Sequence, residues 1–375
     1  MGLDDLTLDE AVRRDGIKWR RVPREVIPAW VADMDFAPPP AVREAVLERI
    51  DTDLGYPGWL DDPTGGPLGP AFAERMETRY GFRTDPSHVR AFTDLNQALQ
   101  IILHLMTEPG DGVLVHTPAY NAFLETFTAM RRRPVPIPLE PDGPTWRFEL
   151  PKDPGGAKIL VLVHPHNPTG RSFTRSELES LADYAERHDL LVISDEIHSD
   201  LTYAPHTHIP FGTLAPERTV TLTSASKAFN MGGVHMAVGH IAPQAVRDAI
   251  ASQPPHIFGA AGVLGMTATV AAWRHGDAWL EEVLAILDRN RHLVAKRLPP
   301  SVAYRIPDAT YLGWLDFGFP EAAEFVEREA RVRLAPGPIY YGGDTCARLN
   351  FGTSGPILEE MLSRIGALDH GDEQV

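Results

Sequence analysis

The stretch Thr223-Ser224-Ala225-Ser226-Lys227-Ala228-Phe229-Asn230 decides the fold class. It follows an apolar run predicted as a buried strand, so that a single lysine lies where the chain leaves the sheet. A lysine is rare at such a place because removing its ammonium from water costs free energy. Burial also lowers the pKa of the amine, which suits imine formation with an aldehyde. The hydroxyls of Ser224 and Ser226 could bind a phosphate; the alternative is a surface lysine beside ordinary turn serines.

A carboxylate ends a second apolar run, Leu190–Asp195. Ligands of open α/β sheets bind at the carboxyl ends of the strands, where Asp195 is predicted to lie. A carboxylate there could keep a pyridinium nitrogen protonated and make an aromatic ring an electron sink. The alternative is that Asp195 only caps the turn that follows. The interval from Asp195 to Lys227 fits one crossover and one strand.

The turn Asn167-Pro168-Thr169-Gly170 follows a third strand candidate, Lys158–His164. Pro and Gly make this a strong turn signal, and Asn167 could donate to a phenolate oxygen of a bound ring. A metal site using His164 and His166 is a competing interpretation, but no third ligand has suitable spacing. Otherwise the motif is a plain turn.

Two further side chains complete a possible site. Tyr120 follows the strand candidate Val113–His116 and could stack on an aromatic cofactor, or else pack on the next helix. Arg348 lies inside a strand-like run, where a half-buried guanidinium binds a carboxylate bidentately or forms an internal salt bridge. The neighbouring Cys346 is expected to fill space rather than act as a nucleophile.

The middle of the chain alternates apolar runs with amphipathic stretches, which predicts an α/β fold with a mostly parallel sheet. Predicted helices include Asn96–Met106, Thr174–His188 with a capping box from Thr174 to Glu177, and Asp277–Arg297. We expect a large domain over residues 46–284. Residues 1–45 and 285–375 are expected to form a smaller α+β domain.

The composition and the missing motifs limit the classes of function open to this chain. The 375 residues carry a net charge of −16, which disfavours nucleic acid as the main partner. A single cysteine excludes an intrachain disulfide, and neither a secretory signal nor an apolar run of membrane-spanning length is visible, so a cytoplasmic location is expected. Dinucleotide and nucleoside-triphosphate fingerprints, and the nucleophile elbow of hydrolases, are not found in the sequence.

These motifs, in this order, resemble those of the fold-type I pyridoxal-phosphate (PLP) enzymes, whose large domain holds a mostly parallel seven-stranded sheet. Within that superfamily the chain looks most like the MalY/PatB cystathionine β-lyase branch. The resemblance rests on the heptad Trp30-Val31-Ala32-Asp33-Met34-Asp35-Phe36, on Gly55–Pro57, on Pro118–Phe123, on Asp195–Leu201 and on Ser226–Asn230.

The resemblance implies a role for each residue. Lys227 would bind PLP as a Schiff base and move the Cα proton, Asp195 would pair with the pyridinium nitrogen, and Arg348 would bind the substrate α-carboxylate. The remaining cofactor contacts would come from Asn167, His198, Tyr120, Ser224, Ser226, the amides of Asn96, Gln97 and Ala98, and Tyr56 of the neighbouring subunit in a homodimer.

The chain departs from the pattern in three places. Asp94 lies in the phosphate loop, where a carboxylate is unfavourable unless it points away. The segment Trp59–Pro70 is longer than expected, and His235 stands where relatives carry an apolar or neutral residue. These departures bear on the substrate rather than on PLP chemistry.

The implied reaction is α,β-elimination from an S-substituted L-cysteine, giving a thiol, pyruvate and ammonia. An aminotransferase would use the same Lys227, Asp195 and Arg348. The same motifs are also compatible with a PLP enzyme of specialised metabolism and with a PLP-binding regulator that has no catalytic activity.

Overall fold

The computed structural model describes residues 2–59, 62, 64–254 and 257–368. Long helices begin and end at recognisable sequence signals. The helix Arg175–Arg187, for example, begins after Thr174, which forms a capping box with Glu177. In order along the described chain, the α-helices are Leu8–Ala11 (α1), Ile17–Arg20 (α2), Pro40–Thr52 (α3), Leu68–Tyr80 (α4), Leu95–Met106 (α5), Asn121–Ala129 (α6), Arg175–Arg187 (α7), Ala225–Ala228 (α8), Gln244–Ala251 (α9), Val263–His275 (α10), Asp277–Arg297 (α11), Ala322–Ala330 (α12) and Gly355–Gly366 (α13).

The strands are short and mostly apolar. In the same order they are Ile27–Pro28 (β1), Val89–Phe92 (β2), Gly112–Thr117 (β3), Arg133–Pro138 (β4), Glu140–Asp142 (β5), Thr145–Arg147 (β6), Ala157–Val163 (β7), Leu191–Asp195 (β8), Thr219–Thr223 (β9), Ala237–Ile241 (β10), Ala303–Tyr304 (β11), Leu312–Asp316 (β12), Val332–Arg333 (β13), Ala335–Pro336 (β14) and Cys346–Asn350 (β15).

The main sheet of the described chain has seven strands in the order β2-β10-β9-β8-β7-β3-β4. Strands β9, β8, β7, β3 and β4 run parallel, whereas β10 is antiparallel to both of its neighbours. The expected α/β fold with a mostly parallel seven-stranded sheet is therefore confirmed. Because β2 runs in the same direction as β9, the loop after β2 also opens at the carboxyl edge.

Helices cover both faces of this sheet. Along β7, Ile159 and Val161 pack in a cluster with α5 and α6, whereas Leu160 and Leu162 pack in another with α7. This alternation explains the unbroken apolar run: both sets of side chains are buried, and each removes apolar surface from water.

A second sheet, in the order β11-β12-β15-β14, lies in the C-terminal part of the chain. The N-terminal segment joins this part because β1 pairs in parallel with β13, through Ile27 and Val332. One large apolar cluster runs from Leu6 through Phe72 to Ile365, so the N-terminal and C-terminal segments pack together against the central part.

The predicted strands and helices are found close to their expected bounds. The sequence also predicts a strand over His235–Ile241. Strand β10 begins at Ala237 instead, because His235 has a left-handed backbone (φ 49°) that cannot continue a strand. Part of the predicted Trp59–Pro70 loop lies outside the described residues. Within those residues, no helix is both long and apolar enough to cross a membrane.

Candidate active site

Four predicted site residues follow four adjacent parallel strands. Lys227 comes after β9, Asp195 ends β8, Asn167 comes after β7 and Tyr120 comes after β3. Parallel neighbours bring their carboxyl ends to one edge of a sheet, so the topology itself brings these side chains together.

Lys227 lies on the short helix α8, which Ser224 caps by accepting a hydrogen bond from the Ser226 amide at 3.0 Å. The ε-amine of Lys227 donates to the Ala32 carbonyl at 2.7 Å and lies 3.9 Å from an Asp33 carboxylate oxygen. Burial lowers the pKa of Lys227, while the nearby Asp33 carboxylate opposes that shift. An amine so placed can lose its proton more easily than a surface lysine.

Asp195 is a buried carboxylate, 4% exposed, and accepts a hydrogen bond from the Ile197 amide at 3.1 Å. Burial raises its pKa from 3.8 to about 7, and the neighbouring Glu196 adds to the rise. Among the described residues it forms no salt bridge. A cation at this position would restore the charged form of Asp195.

Arg348 and Asn167, far apart in sequence, are hydrogen-bonded to each other. Nη1 of Arg348 donates to Oδ1 of Asn167 at 2.9 Å, and Nη2 donates to the Trp30 carbonyl at 2.9 Å. The guanidinium lies over the Tyr340 ring, 4.9 Å from its centroid, and its buried Nε has no hydrogen-bond partner among the residues that the structure describes. Two fixed hydrogen bonds thus orient Arg348 and leave N–H groups for a further acceptor.

Lys227, Tyr120 and Arg348 line one cavity of about 470 Å³. The Tyr120 ring is half-buried and packs edge-on against Phe123, with centroids 5.2 Å apart. Burial raises the pKa of the Tyr120 phenol. The outer wall of the cavity comes from α12 and the segment Arg333–Tyr340.

His198 is buried beneath the site. Its Nδ1 has no hydrogen-bond partner within the described part of the chain, and its ring packs edge-on against Tyr311, with centroids 6.0 Å apart. Burial lowers the pKa of His198 to about 3, and the positive charges of Lys227 and Arg348 act in the same direction. His198 is therefore a neutral imidazole near neutral pH.

The predicted phosphate loop forms the start of α5, and its amides of Asn96, Gln97 and Ala98 stay predicted phosphate contacts. Asp94 caps α5 by accepting from the Gln97 amide at 2.8 Å, and the Ala98 amide donates to the Asp94 carbonyl at 3.1 Å. Two of the three amides predicted to bind phosphate thus already have protein acceptors, because Asp94 acts as a helix cap. The amide of Asn96 lies in the first turn, where helix geometry provides no acceptor.

The two predicted phosphate hydroxyls differ in their surroundings. The Ser224 hydroxyl donates to the Met236 carbonyl at 2.6 Å, which directs its hydrogen towards the protein. Ser226 is half-buried, and its carbonyl accepts from the Met231 amide at 2.8 Å. Their phosphate-binding roles stay predictions.

Two other expectations concern Tyr56 and metals. Tyr56 is 89% exposed, on the segment between α3 and α4. Within the described residues, no group of three or more His, Cys, Asp or Glu side chains could hold a metal ion. His166 instead bonds Thr169 through Nδ1 at 2.8 Å, and His164 packs edge-on against Phe173.

Sequence reasoning missed the part played by the heptad 30–36. Its Ala32 carbonyl accepts from both Lys227 and the buried Tyr311 hydroxyl, the latter at 2.8 Å, and its Asp33 faces Lys227. The heptad was recognised only as a mark of resemblance. Two aspartates inside an otherwise apolar heptad were the available signal.

The fold and this site define an α/β protein in which an amine and a guanidinium line one cavity and a buried carboxylate ends the neighbouring strand. The sequence pattern of the family "Aminotransferase class I and II" matches residues 30–365, so the chain belongs to that family.

Relatives in this family span almost the same length. A cystathionine β-lyase of Corynebacterium glutamicum is 33% identical over 96% of this chain and 98% of its own. The cystathionine β-lyase PatB of Bacillus subtilis is 32% identical over the same shares. The solved structure of cystalysin from Treponema denticola, which contains a pyridoxal 5′-phosphate cofactor, matches with a TM-score of 0.90 and 26% identity over 98% of each chain. The expected resemblance to the MalY/PatB branch is confirmed.

Proposed function

We propose that this chain is a PLP-dependent carbon–sulfur β-lyase. With uptake of one water molecule, it cleaves an S-substituted L-cysteine, such as L-cystathionine, to a thiol, pyruvate and ammonia. The observation that carries the proposal is the near full-length match to cystathionine β-lyases, in a chain whose Lys227 and Asp195 lie at one sheet edge. Arg348 is held at the same edge by its hydrogen bond to Asn167.

The residues present fit PLP. Asp195 is a buried carboxylate that forms no salt bridge within the described chain, and it suits a pyridinium N–H. Asn167 uses its oxygen to accept from Arg348, so its amide N–H groups remain for a phenolate oxygen. When bound, PLP supplies an aldehyde for amines and a ring that accepts electrons released at Cα.

Arg348 binds the α-carboxylate of the substrate. Its position is fixed by Asn167 and Trp30, and the unpartnered Nε together with the remaining Nη hydrogens forms a planar fork for two oxygens. The fixed guanidinium therefore orients the amino acid with respect to Lys227. Because the guanidinium is already fixed, less entropy is lost when the substrate is oriented than with a flexible surface arginine.

Lys227 removes the Cα proton. Burial lowers the pKa of its amine, so that the neutral base forms more readily than on a surface lysine. His198 stays neutral beside this amine and adds no competing charge. The thiolate then leaves from Cβ.

An aminotransferase is the second candidate, favoured by the family to which the chain belongs. It would use the same three residues and would return a proton to the cofactor instead of expelling a group from Cβ. The two candidates differ in whether turnover needs a keto-acid acceptor.

The test incubates purified PLP-loaded protein with L-cystathionine in the absence of any keto acid, and measures pyruvate and ammonia. We expect steady formation of both, lost in Lys227→Ala. Lys152→Ala, a change of an exposed lysine outside the site, is the matched control and should keep full activity. No pyruvate, together with conversion of the cofactor to its amine form, would assign an aminotransferase instead.

We further propose the organisation around this site. Residues 46–284 form the large domain and residues 1–45 with 285–375 the small one; the pairing of β1 with β13 supports this division. The protein acts as a homodimer in the cytoplasm, with Tyr56 reaching the neighbouring subunit's site. The exposed apolar side chains Leu54, Tyr56 and Ile257 support an interface, and a single free Cys346 suits a reducing compartment.

A further inference from the structure

Asp33 is held in place by its backbone rather than by its side chain. The carbonyl of Asp33 accepts from Asn350 Nδ2 at 2.7 Å and from Lys18 Nζ at 3.2 Å. These two donors come from the small sheet and from α2, so the backbone is fixed from two sides. The carboxylate is therefore not required to hold the segment, and it points to Lys227 at 3.9 Å.

The preceding carbonyl in the chain acts on the same amine. Ala32 accepts from Lys227 Nζ at 2.7 Å, and Tyr311 donates its hydroxyl to the same carbonyl oxygen at 2.8 Å. A carbonyl oxygen and a carboxylate together form an acceptor pair that matches an ammonium better than a neutral amine.

We propose that Asp33 is a positioning residue which, with the Ala32 carbonyl, holds the ε-ammonium of Lys227 while an amino-acid substrate occupies the cofactor. The proposal rests on the proposed PLP function. When the C–H bond at Cα breaks, the neutral amine of Lys227 takes the proton and the electron pair stays on the substrate, where PLP, when bound, would accept it. Lys227 then carries one positive charge, which Asp33 balances.

The other charges facing Lys227 do not perform this task. Asp195 also favours its ammonium form, but that carboxylate is assigned to the ring nitrogen. Arg348 disfavours the ammonium, because it is a like charge. Asp33 is thus the carboxylate left to compensate the ammonium, and its removal lowers the pKa of the Lys227 amine.

The size of the effect follows from distance and exposure. The Asp33 side chain is 38% exposed, so solvent screens the pair strongly. At 3.9 Å with water-like screening, the interaction corresponds to a change of about one pH unit in the titration of Lys227.

The test uses the full chain and two readouts. The first is the pH dependence with which the cofactor-free protein is labelled at Lys227 by trinitrobenzenesulfonate, followed by peptide mass spectrometry. Asp33→Asn should move the midpoint down by about one pH unit, and Asp33→Glu should restore much of it. Glu324→Gln, which removes an exposed carboxylate from the outer wall of the same cavity, is the matched control and should leave the midpoint in place.

The second readout is the pH profile of pyruvate formation by the PLP-loaded variants, in which the acid limb should move down with the labelling midpoint. If the protein takes up PLP and forms pyruvate but Asp33→Asn titrates like the parent, the inference is wrong and the proposed function stands. If Asp33→Asn shifts the labelling midpoint but the parent forms no pyruvate, the lyase proposal fails and the electrostatic pairing of Asp33 with Lys227 stands. Asp33→Ser replaces Asp33→Asn should the latter not fold, and the same shift is required of it.

Discussion

Replacement of Asp195 by Asn should stabilise the cofactor-free protein and at the same time impair the PLP-loaded enzyme. Asp195 is 4% exposed, with one hydrogen bond from the Ile197 amide, so its charge is poorly compensated. Asn keeps the shape and removes the charge. Without a carboxylate, however, the ring nitrogen of bound PLP has no anion to keep it protonated, so pyruvate formation should fall sharply.

The stability change can be worked out from the titration. The pKa of Asp195 is about 7 in the folded protein and 3.8 as the ordinary value. A carboxyl group whose pKa is raised on folding costs no stability below its ordinary pKa, and the cost grows as the pH rises to the folded pKa. About three pH units correspond to about 4 kcal/mol at pH 8, and to less than half of that at pH 5.

The measurement is thermal unfolding of cofactor-free protein at pH 5 and pH 8. Part of the gain is offset because the Asn amide is itself buried, so we expect about 2–4 kcal/mol at pH 8. For a chain of this length that corresponds to about 3–5 °C in Tm. Glu324→Gln should change Tm little at either pH, since that carboxylate is exposed. An Asp195→Asn gain that is absent, or equal at both pH values, would refute the electrostatic account.

Two further variants test the substrate contact and the framework. Arg348→Lys keeps the charge but loses the planar fork, so kcat/KM for an S-substituted cysteine should fall about 100-fold, a loss of about 3 kcal/mol. The absorbance of bound PLP should be retained. A fall in kcat/KM of less than threefold would contradict the assigned contact. Arg75→Met leaves the Asp200 carboxylate, bonded by Arg75 at 2.8 Å, without its most buried partner. It should lower the free energy of unfolding by about 3 kcal/mol in urea titrations; an unchanged midpoint would mean that Arg79, 3.1 Å away, compensates.

The sequence was sufficient to predict the side chains that follow parallel strands. Lys227, Asp195, Asn167 and Tyr120 each come after an apolar run, and the rule that parallel strands end at one edge converts four separate motifs into one place. The positions of these four residues at the ends of strands could be predicted without knowing how the helices and strands pack. The bounds of β9 and α11 could be predicted for the same reason, because periodicity is local.

The contacts that depend on tertiary packing could not be predicted in this way. Ala32 and Lys227 are 195 positions apart, and only the docking of the N-terminal segment brings them within 2.7 Å. The role of Asp94 was legible, since an Asp followed three residues later by Gln97 is a helix-start pattern. The resemblance drew attention to the phosphate instead, and the capping role of Asp94 was missed.

The heptad 30–36 shows how an irregular segment can serve as a precise wall of the cavity. A segment outside any strand still needs acceptors and donors for its buried backbone groups. Asn230, whose backbone is left-handed (φ 53°), bonds the amide and carbonyl of Met34 at 3.0 and 2.9 Å, and Asn350 bonds the carbonyls of Val31 and Asp33. Both asparagines have short side chains with few rotatable bonds, so they hold the heptad backbone firmly against their own backbone segments.

The two asparagines connect the heptad to the two segments that carry Lys227 and Arg348. Asn230 lies three residues after Lys227, and Asn350 lies two residues after Arg348. The heptad is therefore tied separately to the segment that carries the amine and to the strand that carries the guanidinium. In the proposed mechanism Lys227 and Arg348 act on the same amino acid, and a segment bonded to both fixes their separation. Within that segment, Ala32 and Asp33 are the residues that contact the Lys227 amine, so they are the ones that position it.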